Sequence, residues 1–187
     1  MAFFPYFAMS PSAVMCMFGL LYGPDETIAT PGEDYKQSTI DLVIPAYNEA
    51  KNIALCLESI ASQTVKPSNI LLVDDGSTDK TSIVAQEFAN FIGLDLTILR
   101  REKTEGKTSI VHMAVKQSKA DILFVLDADT TLRSPNYIER VMQEIHQGVG
   151  IASACGLVFP QVKGDREKLI STPTMTEFLK KFSEFEK

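Results

Sequence analysis

From residue 40 onward the chain alternates between two hydrophobic rhythms. IDLVIP (40–45) is a short apolar run, and EAKNIALCLESIASQ (49–63) then sets Ile53, Leu57 and Ile60, with Ala54 and Ala61, on one helical face. NILLVDDG (69–76) predicts a second strand. STDKTSIVAQEFANFIG (77–93) predicts a helix with Ser77 or Thr78 as N-cap and Gly93 closing it. LDLTILR (94–100) is a third strand and GKTSIVHMAVKQS (106–118) a third helix. ADILFVLDAD (120–129) follows as a fourth strand, SPNYIERVMQEIHQG (134–148) as a helix with Pro135 in its first turn, and VGIASACGLVF (149–159) as a fifth strand.

Strands alternating with helices predict an α/β fold, a mostly parallel sheet with helices on both faces. Such sheets bind ligands at the carboxyl ends of their strands. The polar clusters fall there: PAYNE (45–49) after strand one, DDGSTD (74–79) after strand two, REKTEGK (101–107) after strand three and DAD (127–129) after strand four. Each cluster alone has a plain structural reading, since Asp and Gly make turns, Asn and Asp cap helices, and Lys107 suits a solvated first turn. Four of them on one rim predict a site.

Asp127 and Asp129 carry the chemistry of that prediction. If strand four stays extended through its tip, period-two alternation points both carboxylates the same way, with small Ala128 between them leaving room for a ligand. Two converging carboxylates repel unless a cation holds them, and carboxylate oxygens suit Mg²⁺ or Mn²⁺. Magnesium takes one or two carboxylates and fills its shell with water and phosphate oxygens, which makes a diphosphate the natural third party. Lys107 at a helix start adds positive charge for the same anion.

Charge and composition narrow the field. A net charge of −6 without a basic run excludes a nucleic-acid surface. Cys16, Cys56 and Cys155 are odd in number and far apart, so neither a disulfide framework nor a zinc knuckle is indicated. Residues 1–24 carry no charged side chain, which predicts a membrane or interfacial segment, with an apolar element packed on the domain or a signal peptide as alternatives. The Pro-, Gly- and acid-rich stretch 25–38 reads as a linker.

The segments VIPAYNEAKNIALCLESIASQT, ILLVDDGSTDKT, GKTSIVHMAV and ADILFVLDADT, in that order and spacing, resemble family 2 glycosyltransferases, the inverting nucleotide-sugar enzymes with a GT-A fold. The resemblance runs from about Ile40 to Phe159. It implies a nucleotide-sugar-binding domain over 39–160 and the start of an acceptor region over 161–187. It also implies a nucleotide-sugar donor of the UDP-sugar kind, a saccharide or lipid-linked acceptor, and a membrane-associated enzyme with its catalytic domain in the cytoplasm. By the same resemblance Pro45, Tyr47 and Glu49 line the nucleoside pocket and Asp75 hydrogen-bonds the base edge. Lys107 lies near the nucleotide, Asp127 near the ribose or sugar, and Asp129 holds the metal on the diphosphate.

Two features depart from the family pattern. His112 stands where related sequences commonly carry Asn, and reads as a core or rim residue before a pocket residue. No general base is assigned: in the family it lies further along, so the chain is expected to carry the donor-binding half. Glu184 and Glu186, in the amphipathic stretch TMTEFLKKFSEFEK, are helix-surface charges of a kind ordinarily solvated.

Two other classes compete. A nucleotide-sugar-binding fragment or scaffold without catalysis shares every donor-side motif. A P-loop nucleoside triphosphatase would use EGKTS and ILFVLD, but GxxxxGK[ST] requires glycine at position 101, where this chain has Arg101.

Overall fold

A computed structural model describes residues 37–147 and 165–185. The apolar segment 1–24, nearly all of the linker, the fifth strand over 149–159 and Glu186 lie outside them. Four parallel strands form one sheet: β1 (Ile40–Ala46), β2 (Asn69–Asp74), β3 (Thr97–Arg100) and β4 (Ile122–Val125), in the order β3-β2-β1-β4. Val43 of β1 lies opposite Leu71 of β2 on one side and Val125 of β4 on the other. The chain reverses its direction of travel across the sheet between β1 and β4, and both strands end at the same rim.

Strand alternation sorts the core into two faces. Leu42, Ile44, Ile70 and Leu72 point to one side, where α1 (Ile53–Ala61), α2 (Thr81–Ile92), α4 (Tyr137–Gln147) and α6 (Pro173–Phe185) cover them with Leu57, Phe88, Ile138 and Phe178. Phe88 and Phe178 meet edge to face at 4.8 Å between ring centroids, which docks α6 onto α2. Val43 and Val73 point the other way, onto Ile110 and Ala114 of α3 (Lys107–Gln117). Helices therefore lie on both faces, as the alternating rhythm predicts. A short α5 (Asp165–Ile170) leads into α6.

Three local expectations need correction. The second helix starts at Thr81, with Lys80 at its cap and no side-chain cap bond, because the hydroxyl of Ser77 and the main chain of Thr78 bond the loop after β1 instead. Pro135 sits in the turn before α4, where its carbonyl accepts from Thr64 N at 2.6 Å. Strand four stops at Val125: the segment 127–130 turns back on itself, with Thr130 N donating to Asp127 O at 2.9 Å. The two aspartates therefore reach one side through a turn and not through strand alternation. Gly93 does close α2, in the left-handed conformation at φ 67°.

Candidate active site at the strand ends

The loop after β1 folds over the start of α1 by borrowing acceptors from the loop after β2. Asn48 takes the left-handed conformation at φ 57°, which asparagine tolerates better than most residues. Its side-chain oxygen accepts from Thr78 N at 2.8 Å, and its own N–H donates to Ser77 Oγ at 2.9 Å. Glu49 N donates to Thr81 Oγ1 at 2.8 Å, and Ala50 N to Asp79 Oδ2 at 3.1 Å. PAYNE and DDGSTD are thus one interlocked unit, which holds Tyr47 exposed at the rim.

That unit forms one wall of a cavity of about 240 Å³. Pro45 lines it from the end of β1, Tyr47 and Glu49 from the loop after it, Asp75 from the loop after β2, Lys107 from the start of α3, and Asp127, Ala128 and Asp129 from the turn after β4. Every residue that the family resemblance assigns to the donor site lines this one space, joined by Ala46 of the PAYNE segment and by Ile110 of α3. His112 is exposed on α3 and is not among the lining residues. Glu184 lies in the last turn of α6.

The charges across the cavity are unevenly satisfied. Lys107 Nζ pairs with Asp127 Oδ1 at 2.5 Å. Asp129 is exposed, and its Oδ1 meets only the hydroxyl of Thr130, at 3.4 Å, among the hydrogen bonds of the described residues. Beneath them the thiol of Cys56 is fully buried and donates to the Asp127 carbonyl at 3.8 Å. Burial, followed by the negative charges of Asp129, Asp127 and Glu49, pushes that thiol far above its ordinary range. Three carboxylates, Asp129, Asp127 and Glu49, thus act on the space around the DAD turn. Among the described residues no group of three His, Cys, Asp or Glu gathers to hold a metal. The carboxylate oxygens of Asp127 and Asp129, both lining the cavity, nevertheless fit a divalent cation whose remaining ligands are water and phosphate.

Asp75 is the most heavily engaged group in the cavity. It is 4% exposed. Oδ2 accepts from Thr104 Oγ1 at 2.7 Å and Gly106 N at 2.8 Å, Glu105 N reaches both oxygens at 3.1 Å, and Arg101 Nη1 reaches Oδ1 at 3.3 Å. Burial alone would raise its pKa, but the donors from Thr104, Glu105, Gly106 and Arg101 outweigh it and hold the carboxyl below the usual carboxylate range. The same geometry disposes of a phosphate-wrapping loop, because the main-chain N–H groups of Glu105 and Gly106 are spent on this carboxylate.

Comparison with known proteins gives the same picture from outside. The family described as "Glycosyl transferase family 2" matches residues 41–187. The glycosyltransferase AglE of Haloferax volcanii is 34% identical over 120 residues, which are 63% of this chain and 36% of that protein. The chain thus spans about a third of that relative's length. Among solved structures, a mannosyltransferase from Pyrobaculum calidifontis in complex with GDP-Man and Mn²⁺ shares the fold, with a TM-score of 0.59 at 23% identity over 72% of this chain and 41% of its own. Glucosyl-3-phosphoglycerate synthase from Mycobacterium tuberculosis, in complex with Mn²⁺, UDP and phosphoglyceric acid, superposes with a TM-score of 0.52 at 26% identity, over 67% of this chain and 47% of its own.

Proposed function

Because the chain belongs to glycosyl transferase family 2, we propose that its cavity binds a nucleoside-diphosphate sugar, of the UDP-sugar kind, and serves the inverting transfer of that sugar to an acceptor hydroxyl. The observation that carries this reading is the convergence of PAYNE, DDGSTD, the start of α3 and the DAD turn on one space. Pro45, Tyr47 and Glu49 form the nucleoside wall. Lys107 and the DAD turn form the diphosphate end, with Asp127 toward the ribose or sugar.

A divalent ion, Mg²⁺ or Mn²⁺, would sit on Asp129, with Asp127 beside it. When bound it supplies a Lewis acid for the departing nucleoside diphosphate. The chain's own residues hold the diphosphate against Lys107, shield the nucleoside with Tyr47, and keep Asp127 oriented through the carbonyl bond from Cys56. The UDP and Mn²⁺ of the mycobacterial synthase support this choice of donor and ion. A saccharide or lipid-linked acceptor, cell-envelope or extracellular polysaccharide synthesis, and a membrane location with the catalytic domain in the cytoplasm complete the proposal on family resemblance. No helix among the described residues is long and apolar enough to cross a membrane.

Calorimetry of UDP binding with Mn²⁺ and with EDTA tests the reading. Asp129 is exposed, so Asp129→Asn should leave the fold intact and abolish the Mn²⁺-dependent part of the affinity. Equal affinities in parent and variant under both conditions would refute the metal assignment. A ranking with ADP ahead of UDP would refute the donor.

A further inference from the structure

Residues 126–136 join the end of β4 to the start of α4 without regular structure, and they carry both aspartates of the DAD turn. Leu126, Ala128 and Leu132 are buried in the core, so the main chain between them needs hydrogen-bond partners that no neighbouring strand provides. The side chains of α1 provide them. Cys56 Sγ donates to Asp127 O at 3.8 Å, and Ser59 Oγ accepts from Leu132 N at 3.1 Å. Gln63, just past the C-cap Ser62, donates to Ser134 O at 2.9 Å and accepts from Ile138 N at 3.1 Å. Steps of three and four residues bring these side chains to one side of the helix. The first turn of the same helix holds the facing wall of the cavity: Asn52 N and Ile53 N both donate to Glu49 O at 2.9 Å, and Asn52 Nδ2 donates to Glu49 Oε2 at 2.6 Å. One helix thus ties the loop of Tyr47 and Glu49 to the turn of Asp127 and Asp129.

We propose that Ser59 is a positioning residue for the divalent ion: its hydroxyl seats Leu132 on α1 and so holds Asp129, three residues earlier, at a fixed distance from the wall of Tyr47 and Glu49. A hydroxyl has one proton and two lone pairs. Ser59 gives the proton to Cys56 O at 2.7 Å, which leaves its lone pairs for Leu132 N. The contacts form one chain, because the carbonyl that Ser59 bonds belongs to the residue whose thiol bonds the Asp127 carbonyl. Leu132 is 8% exposed, so an unpaired N–H there is costly, and a turn that lost the hydroxyl would shift to find water. Asp129 does little to fix itself: it is exposed, and its Oδ1 makes only a long contact to the Thr130 hydroxyl, at 3.4 Å, among the hydrogen bonds of the described residues. Its place is set by the main chain that carries it. A carboxylate held ready for an ion loses less freedom on binding it. This inference rests on the donor reading above for its consequence, and on the hydrogen bonds of α1 for its mechanism.

The experiment has two arms and two variants: Ser59→Ala removes the acceptor and puts a strong helix former in its place, and Ser59→Thr keeps the hydroxyl. Without ligand, Ser59→Ala should speed amide hydrogen exchange at Thr130 and Leu132 by roughly tenfold, the scale of one hydrogen bond. Exchange at Asp75, whose N–H pairs with Ala46 O on the other side of the cavity, should not change. Unchanged exchange at Leu132 would overturn the seat. In calorimetry with UDP, Ser59→Ala should lower the affinity in Mn²⁺ by roughly tenfold and leave the affinity in EDTA at the parent value, and Ser59→Thr should match the parent in both. A general loss of structure moves both affinities together. Equal losses under the two conditions, no loss in either, or a Ser59→Thr that behaves as Ser59→Ala would therefore overturn the role toward the ion. A parent that binds no UDP under either condition would refute the donor reading, and the ligand-free arm would still decide the seat.

Discussion

Lys107 Nζ lies 2.5 Å from Asp127 Oδ1, so the first residue of α3 and the turn after β4 meet across the mouth of the cavity. Both side chains are about half exposed, at 56% and 46%. A pair this wet contributes little to folding, and its consequence is electrostatic: the ammonium holds the place that a metal ion's charge would take beside Asp127.

Lys107→Met should therefore separate two affinities. Removing the resident cation frees Asp127, so Mn²⁺ alone should bind more tightly, measured from free Mn²⁺ by electron paramagnetic resonance. UDP in saturating Mn²⁺ should bind more weakly, by about tenfold for one lost charge-assisted contact. The denaturation midpoint should shift by no more than about 0.5 kcal/mol in stability.

Gln63 is a polar rivet between α1 and α4. It is 2% exposed, its amide nitrogen donates to Ser59 O at 3.1 Å and Ser134 O at 2.9 Å, and its oxygen accepts from Ile138 N at 3.1 Å. Gln63→Ala should cost about 1–3 kcal/mol in urea unfolding, because it strands Ile138 N and the Ser134 carbonyl away from water. Gln63→Glu should be milder at acidic pH, where a protonated carboxyl restores one donor.

Acid should loosen the rim through two aspartates. Asp75 is held below the usual carboxylate range against the opposing effect of burial, and so is Asp79, whose carboxylate takes bonds from Thr81 and Ala50. A depressed folded-state pKa contributes stability that is fully present above the unfolded value, about 3.9, and is lost as pH falls through the folded value. Stability should thus drop below about pH 4, and the drop should be shallower in Asp75→Asn and in Asp79→Asn. Equal pH profiles for parent and variants in chemical denaturation would contradict this.

Cys56 should be inert to a disulfide reagent at neutral pH in the native protein and react once unfolded, since burial and the neighbouring carboxylates keep it a thiol. Cys56→Ser keeps a donor toward the Asp127 carbonyl and should bind UDP with Mn²⁺ more nearly like the parent than Cys56→Val does.

Much of this architecture was legible because burial writes a period into the chain. Leu42 and Ile44 against Val43, or Ile70 and Leu72 against Leu71 and Val73, announce two covered faces. The site residues were legible as polar breaks at strand ends. The partnerships among them were not. Ser77 and Thr78 look like helix caps until Asn48, about thirty residues away, claims them. The turn at Asp127–Thr130 has the same spacing as an extended strand. Thr104, Glu105 and Gly106 carry no mark of the carboxylate they hold, because two of those three contacts come from the main chain, which every residue shares.

The placement of β1 between β2 and β4 also orders events in time. Pairing β1 with β2 joins residues 28 apart, as in Asp41 and Asn69, whereas pairing β1 with β4 joins Thr39 to Asp121, 82 apart. Closing the longer loop costs only about 1 kcal/mol more in chain entropy, but such distant contacts form slowly, after the local ones have paid for little of them. During refolding the cavity wall of Pro45, Tyr47 and Glu49 should therefore exist before the acidic turn arrives beside it. A chain emerging from the ribosome has no complete cavity to present to a nucleotide until residues beyond 129 have been made.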